Sequence, residues 1–202
     1  MVGGTRGVGL HHEQRRTDIA DAVLAIVAEN GLAAVSQAAV AAQAGVSPGR
    51  VQHYFPAKQQ LIEAAFERGN SLASARIAAA TPDGGASDPR HVLTVVLTEL
   101  IPYDATTRAH MRVRQSFTAA ALADKAIAAR LRDDYATLHR RLAELLRRDQ
   151  RRGRLQPDTD AGGTAVTLVA LAEGMAYYVL IGVYPAGAAR ERVHAAISDV
   201  YV

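Results

Sequence analysis

The sequence has no cysteine, no tryptophan and few other aromatic residues, which make up 5% of its 202 residues. Without cysteine the chain cannot form a disulfide, use a thiol as a nucleophile or bind a metal through thiolates. Lysine occurs only as Lys58 and Lys125, so nearly all the basic residues are arginine. The histidines show no metal-ligand spacing, and we expect neither a metal nor a cofactor.

Strand-like patterning is also absent. No segment alternates polar and apolar residues as a half-buried β-strand does, and we find no internal repeat. Apolar residues recur instead at helical spacing, and a hydrophobic content of 49% is ample for a core. We therefore predict an all-α fold with about nine helices. They are expected at about 12–30, 37–44, 49–55, 58–80, 91–101, 105–122, 125–152, 161–184 and 188–201.

The N-terminus lacks the apolar run of a signal peptide, which favours a cytoplasmic protein. Residues 1–11 are polar and rich in glycine, and we expect a disordered tail there. A basic arm that reaches a DNA groove is the alternative. The glycines of this tail superficially suggest a phosphate-binding loop, but no strand precedes them and their spacing fits neither nucleotide fingerprint.

The stretch 36–58 organises the rest of the chain. Its Ala-rich segment Gln37–Ala44 stops at Gly45. Ser47 and Pro48 then favour a new helix, because serine can cap a helix and proline suits its first position. Pro56 ends this second segment. Two short helices joined by a tight turn form a helix-turn-helix, whose second helix can enter the major groove of DNA.

Three motifs at the start of the chain together resemble the TetR family of bacterial transcriptional regulators. They are IADAVLAIVAENG, S-x-x-x-V-A-x-x-A-G-V-S and G-R-V-Q-H-Y-F-P-x-K-x-x-L. The match covers about residues 15–68, and the remainder resembles the family in architecture. The resemblance implies a helix-turn-helix domain at 12–57, a ligand-binding and dimerisation domain at 58–202, and a homodimer on a palindromic operator in double-stranded DNA.

Two positions depart from the family pattern. The family often has tyrosine where this chain has Gln52, and histidine where it has Tyr54. That tyrosine usually touches a backbone phosphate, whereas glutamine can reach adenine N6 and N7. We therefore expect the operator of this protein to differ in sequence from the operators of family members that follow the usual pattern.

Helical geometry divides the predicted second helix into two faces. Val51 and Phe55 lie four residues apart and should be buried with Val40 and Val46. The other face would contact DNA, with phosphate contacts also at the start of the first helix and at Lys58, where a helix begins. The predicted DNA-binding residues are Ser36, Gln37, Ser47, Pro48, Gly49, Arg50, Gln52, His53, Tyr54 and Lys58.

Charge does not single out this DNA-binding region. The net charge of +3 leans mildly toward anionic partners. Residues 1–70 hold six basic and six acidic residues, a net of zero. Residues 105–154 hold thirteen basic and five acidic residues, a net of +8. DNA recognition is therefore expected to depend on individual side chains.

The C-terminal part offers candidates for an effector pocket and for a dimer interface. Inward aromatic and flexible side chains could line a pocket, and we take these to be Phe117, Tyr135, Met175 and Tyr178. Plain core packing is the competing interpretation for each. The apolar run 164–184 is long enough for a membrane span, but Glu173 and Gly174 interrupt it. We expect it to pair with the last helix in a four-helix dimer interface and predict no membrane contact. The arginines near residue 150 are expected to form a solvated helix end.

These observations predict a DNA-binding regulator, most simply a repressor that an unknown small lipophilic or aromatic effector releases from its operator. An activator, or a regulator that responds to a protein partner without any small ligand, is the alternative. An enzyme is not expected, because no nucleophile–base pair, metal cluster or cofactor loop is present.

Overall fold

A computed structural model describes residues 5–84, 86 and 88–202, with side chains from residue 11 onward. Over these residues the chain contains nine α-helices and no strand, which confirms the predicted all-α fold. A single 3-10 turn, Leu32–Ala34, joins the first two helices. The helices are α1 (Thr5–Asn30), α2 (Gln37–Ala44), α3 (Pro48–Tyr54), α4 (Lys58–Ala80), α5 (Pro89–Glu99), α6 (Ala105–Ala120), α7 (Lys125–Arg151), α8 (Ala161–Leu180) and α9 (Ala186–Ser198).

Two helix ends differ from the sequence-based expectation by four residues or more, and the other ends by at most three. Helix α1 begins at Thr5 and not near His12, so the prediction of a disordered tail over 1–11 is wrong from residue 5 onward. Its glycines lower helix propensity without preventing a helix. Residues 1–4 of the expected tail lie outside the described residues. Helix α8 ends at Leu180, before Tyr184, because Gly182 adopts a left-handed φ of 77° that few other residues tolerate.

Contacts between elements divide the chain into two compact units. The first comprises Met1–Leu72 and Asp104–Ala119, and the second comprises Ala73–Tyr103 and Ala120–Val202. The predicted domain boundary after residue 57 coincides with none of the three points at which the chain passes from one unit to the other. Helix α4 contributes residues to both units, and α6 belongs almost entirely to the first.

The first unit has an apolar core that joins α1, α3, α4 and α6. Ile19, Val23, Val51 and Phe55 are at most 2% exposed. Helix α6 is held to this unit by three further contacts. The rings of Phe66 and Phe117 stack with centroids 4.4 Å apart, the Arg112 guanidinium donates to the Val27 carbonyl at 3.4 Å, and the His110 and Asn70 side chains form a 3.1 Å hydrogen bond.

The second unit packs α5, α7, α8 and α9 around aliphatic side chains and one buried acid. The Asp149 carboxylate is fully buried, and the Tyr201 hydroxyl donates to it at 3.0 Å while Arg154 donates at 3.3 Å. The pKa of Tyr201 lies far above its usual range, mainly because the phenol is buried and secondly because it donates this hydrogen bond to Asp149. The phenol therefore stays protonated and keeps the buried carboxylate paired. This cluster joins the end of α7 to the segment after α9.

Gly69 on α4 is required by the way α6 packs against it. A Cβ atom at this position would overlap the imidazole of His110, whereas one at Gly187 on α9 would meet nothing within 4 Å. We expect Gly69→Ala to lower the free energy of unfolding by about 1–3 kcal/mol, the usual cost of overpacking. The same change at Gly187 should cost nothing, since alanine favours a helix. Thermal and urea unfolding of the two variants measure the difference.

The double variant Gly69→Ala, His110→Ala should recover part of the lost stability, because it removes the ring that the new methyl group meets. A single Gly69→Ala variant that melts at or above the wild-type temperature would show that this packing is loose.

Candidate DNA-binding interface and apolar groove

Helices α2 and α3 are fixed by caps that the sequence specifies. The Ser36 hydroxyl accepts from the Ala39 backbone N–H at 3.1 Å, and Gly45 ends α2 with a left-handed φ of 64°. Ser47 caps α3 by accepting from the Arg50 N–H at 3.3 Å, and Pro48 occupies its first position. These caps satisfy backbone donors that a helix start leaves unpaired. The predicted helix-turn-helix is therefore present.

Helix α3 has the two faces that its sequence predicts. Val51 and Phe55 are buried together with Val40 of α2, and Val46 in the turn is half-buried. The opposite side is solvent-exposed at Pro48, Gly49, Arg50, Gln52 and His53, with Tyr54 half-buried beside them.

Three of the exposed side chains are not engaged within the protein. Arg50 and Gln52 on α3, and Lys58 at the first position of α4, form no side-chain hydrogen bond or ion pair with any described residue. Most protein–DNA hydrogen bonds come from such side chains, to phosphates or to base edges. The arrangement leaves two cations and one amide free to bind a nucleic acid.

Gln37, in contrast, is engaged inside the first unit. Its side-chain Nε2 donates to the Phe55 carbonyl at 2.7 Å, and its Oε1 is buried without a hydrogen-bond partner among the described residues. The expected phosphate contact would have to use a donor that already joins the start of α2 to the end of α3. The structure thus gives Gln37 a positioning role.

Arg16 of α1 has a similar role, which the sequence did not indicate. Its guanidinium donates to the Tyr54 carbonyl at 3.3 Å and lies 4.5 Å from the centre of the Phe55 ring. Together with Gln37, it satisfies carbonyls that the end of a helix leaves free. No local pattern marks this arginine, because the contact joins residues that are 38 positions apart.

Helix α1 lies beside α3 near His12. His12 packs against Tyr54 with ring centroids 4.8 Å apart, and Tyr54 also meets His53 at 5.4 Å. An open groove of about 730 Å³ runs between the two helices. Its lining residues are His11, His12, Arg15, Ser47, Arg50, His53 and Tyr54. The sequence does not indicate this groove, because its lining residues from 11–15 and 47–54 meet only in the folded chain.

The four predicted pocket residues do not lie in one cavity. Phe117 is a core residue of the first unit, stacked on Phe66. Tyr135 is half-buried on α7 of the second unit, near His139. Met175 and Tyr178 do lie together, in an open groove of about 550 Å³ between α8 and α9. Tyr178 is 46% exposed, so the expectation that it points inward is wrong for this chain.

The groove between α8 and α9 is mainly apolar. Leu171, Val183 and two alanines of α9 complete its walls, and polar groups come from Tyr184, Arg192 and Asp199. Outside the groove, α8 exposes further apolar side chains. It is also the one helix among the described residues that is long and apolar enough to cross a membrane, a test that core helices of soluble proteins also pass. No group of three or more potential metal ligands occurs in the described residues.

The capped helix pair and its exposed polar face define a helix-turn-helix DNA-binding protein. Residues 19–65 match the family model for bacterial regulatory proteins of the tetR family, and residues 89–201, just over half of the chain, match that for the C-terminal part of BetI-type transcriptional repressors. The chain therefore belongs to the TetR family of transcriptional regulators, which confirms the resemblance seen in the sequence.

Individual relatives share this organisation over nearly the whole chain. The HTH-type transcriptional regulator PksA of Bacillus subtilis is 27% identical over 174 residues, which are 85% of this chain and 82% of PksA. A TetR-family regulator from Rhodococcus has a TM-score of 0.76 at 28% identity, covering 94% and 100% of the two chains. A regulator from Saccharomonospora viridis, solved with choline, has a TM-score of 0.81 at 24% identity, covering 94% and 98%.

Proposed function

We propose that this TetR-family regulator is a cytoplasmic repressor that binds a palindromic operator as a homodimer and leaves it when a small molecule binds the second unit. The observation that carries DNA reading is a set of exposed side chains on α3 and at the start of α4 that form no hydrogen bond or ion pair with any described residue. Charged and amide groups without internal partners keep their full hydrogen-bonding capacity for bases and phosphates.

The individual roles follow from side-chain chemistry. Arg50 can bind guanine O6 and N7 with two hydrogen bonds, and Gln52 can bind adenine N6 and N7. His53 and the Tyr54 hydroxyl can contact bases or phosphates at the far end of α3. Lys58, at the start of the 23-residue helix α4, combines its own charge with the positive end of the helix dipole and is suited to a phosphate.

The remaining predicted residues lie at the two helix starts. Ser36, Ser47 and Pro48 sit at capped N-termini, whose backbone N–H groups can meet a phosphate. Gly49 has no side chain, and nothing lies within 4 Å of where a Cβ would be. Its backbone can therefore approach DNA closely. We retain Gln37 as a residue that positions α3 and not as a direct contact.

A homodimer is favoured by the exposed face of α8. Outside the groove, Val166 and Tyr177 are each close to half exposed, and Ile181 just beyond the helix is 53% exposed. These positions recur at helical spacing together with Ala170 and Gly174, whose small size permits close approach of a second helix. Contiguous apolar surface of this kind marks interaction sites. A second copy of the chain would cover it and would present two copies of α3 to a palindrome.

Effector release rests on the C-terminal match to BetI-type repressors and on the apolar groove. The structural relative solved with choline motivates choline as one compound to test here. A ligand alters DNA affinity only if it binds one conformation of the protein better than another. Helix α4 is suited to transmit the change, because one continuous helix carries Lys58 and extends to Ala80 of the second unit.

The competing function is that of an activator or of a regulator controlled by a protein partner. The exposed face of α8 is the observation in its favour, since the same apolar surface could bind a different protein. Oligomeric state and ligand titrations separate the two proposals.

Arg50→Ala should weaken operator binding by about 1–3 kcal/mol and relax sequence preference, because one base contact is lost. Lys58→Ala should weaken all DNA sequences alike and lower the salt dependence of binding by about one unit of slope per subunit. Gel-shift or anisotropy titrations over a range of salt concentrations measure both effects. The matched control is Arg140→Ala, which removes the same charge from an exposed site on α7. If neither Arg50→Ala nor Lys58→Ala differs from this control, the assigned DNA-reading surface is wrong.

Ile181→Asp should dissociate the dimer, because it places a charge in the proposed apolar interface. Leu122→Asp provides the control, since Leu122 is 92% exposed in the turn between α6 and α7. Sedimentation velocity should show monomers for Ile181→Asp and dimers for Leu122→Asp and the wild type. A wild-type monomer, or an Ile181→Asp dimer of unchanged stability, would contradict this interface.

A ligand of the native protein should raise the melting temperature, and a concentration of 100 times Kd stabilises by about 2.7 kcal/mol. We expect choline or an aromatic metabolite to raise the melting temperature and to lower operator affinity at the same concentrations. A compound that stabilises the protein without releasing DNA would contradict the repressor mechanism. If no compound in a broad metabolite panel shifts the melting temperature, regulation through a protein partner becomes the better account.

A further inference from the structure

We infer that the groove between α1 and α3 binds a backbone phosphate of double-stranded DNA, with Arg15 and His12 of α1 as its ligands. This inference rests on the proposed DNA binding and extends it to a helix outside the helix-turn-helix. Four of the groove's seven lining residues come from α3 and its cap, and three come from α1.

Helix α1 contributes three side chains to this site. Arg15 follows His12 by three residues and His11 by four, so the three side chains share one face of a helix. All three line the groove and lie within a helix that begins at Thr5. The acidic residue in the same turn, Glu13, lies on another side of α1, where it lines a separate pocket with Arg16 and Thr17.

The groove is chemically suited to an anion. Arginine and imidazole groups line it with two hydroxyls, and no carboxylate is among the lining residues that the structure describes. Asp18 lies 3.4 Å from Arg15 and accepts a hydrogen bond from Gln14 at 2.9 Å. Both members of the Arg15–Asp18 pair are more than a third exposed, and ion pairs of that kind are weak. A phosphate can therefore draw the guanidinium into the groove at little cost.

Continuity with α3 favours DNA over a free anion. Arg50, His53 and Tyr54 belong both to the groove and to the exposed face of α3. His12 is fixed against Tyr54, so a phosphate bound here would lie next to the far end of α3. Base contacts specify a sequence, and phosphate contacts such as this one set the register of the reading helix. Individual phosphate contacts matter especially in this chain, because residues 1–70 carry no net charge.

The adjacent arginines permit a matched test. Arg15→Ala should weaken specific and non-specific DNA binding alike, roughly tenfold, the usual loss for a hydrogen bond to a charged group. The slope of log K against log salt should fall by about 0.9 per subunit. Arg16→Ala removes an equal charge from the neighbouring residue of α1, but that arginine binds the end of α3. It should weaken specific binding and lower the melting temperature while leaving the salt slope near the wild-type value.

A second measurement locates the phosphate. Operators carrying a neutral methylphosphonate at one position at a time should include one position that weakens the wild type and leaves Arg15→Ala unaffected. Such a protein–DNA double-mutant cycle isolates the pair from any general loss of charge. The variant His12→Ala should show a smaller loss at the same position.

The outcomes separate this inference from the proposed function. If the wild type binds no operator, DNA reading itself fails. If Arg50→Ala weakens binding while Arg15→Ala has the wild-type affinity and salt slope, the α1 phosphate site is wrong. Inorganic phosphate provides the last arm: if it raises the melting temperature of the wild type but not of Arg15→Ala, and no methylphosphonate position is specific to Arg15, the groove is a free-anion site and the DNA contact is overturned.

Discussion

The structure depends on how a very short recognition helix is held in place. Helix α3 has only seven residues, and a helix of this length is not stable by itself in water. Its start is fixed by Ser47 and Pro48, its inner face by Val51, and its end by two side chains from other helices. Arg16 binds the Tyr54 carbonyl and Gln37 binds the Phe55 carbonyl. The orientation of every proposed DNA contact on α3 follows from these few interactions.

The way in which α3 is held in place affects how the protein recognises DNA. The first 70 residues have no net charge, so a broad positive field does not draw this region to DNA. Affinity must come from correctly placed side chains, and a small rotation of α3 would move Arg50, Gln52 and His53 together. That makes the proposed regulator sensitive to conformational change, because an effector needs to displace one short helix and does not have to neutralise a charged surface.

The fold and the helix-turn-helix could be predicted because their signals are local. Caps, helix breakers and the apolar spacing of Val51 and Phe55 each involve residues close together in the chain. The roles of Arg16 and Gln37 could not be predicted in this way. Their partners are 38 and 18 residues away, and only the folded chain brings them together. The grouping of the four pocket candidates could not be predicted for a related reason: helical spacing indicates that Phe117 is apolar and inward, but not which core it enters.

The position of Phe117 also bears on how an effector could act. Its stacking on Phe66, together with the contacts of His110 and Arg112, makes α6 part of the first unit although the chain enters it from the second. The chain therefore passes between the two units within α4 and again on each side of α6. A conformational change in the second unit that moved α4, or the segments before and after α6, would act on helices that pack against α1. Since α1 supplies Arg16 to the end of α3, a shift of α1 would alter the reading helix directly. Coupling through α1 requires no ligand contact with the DNA-binding residues themselves.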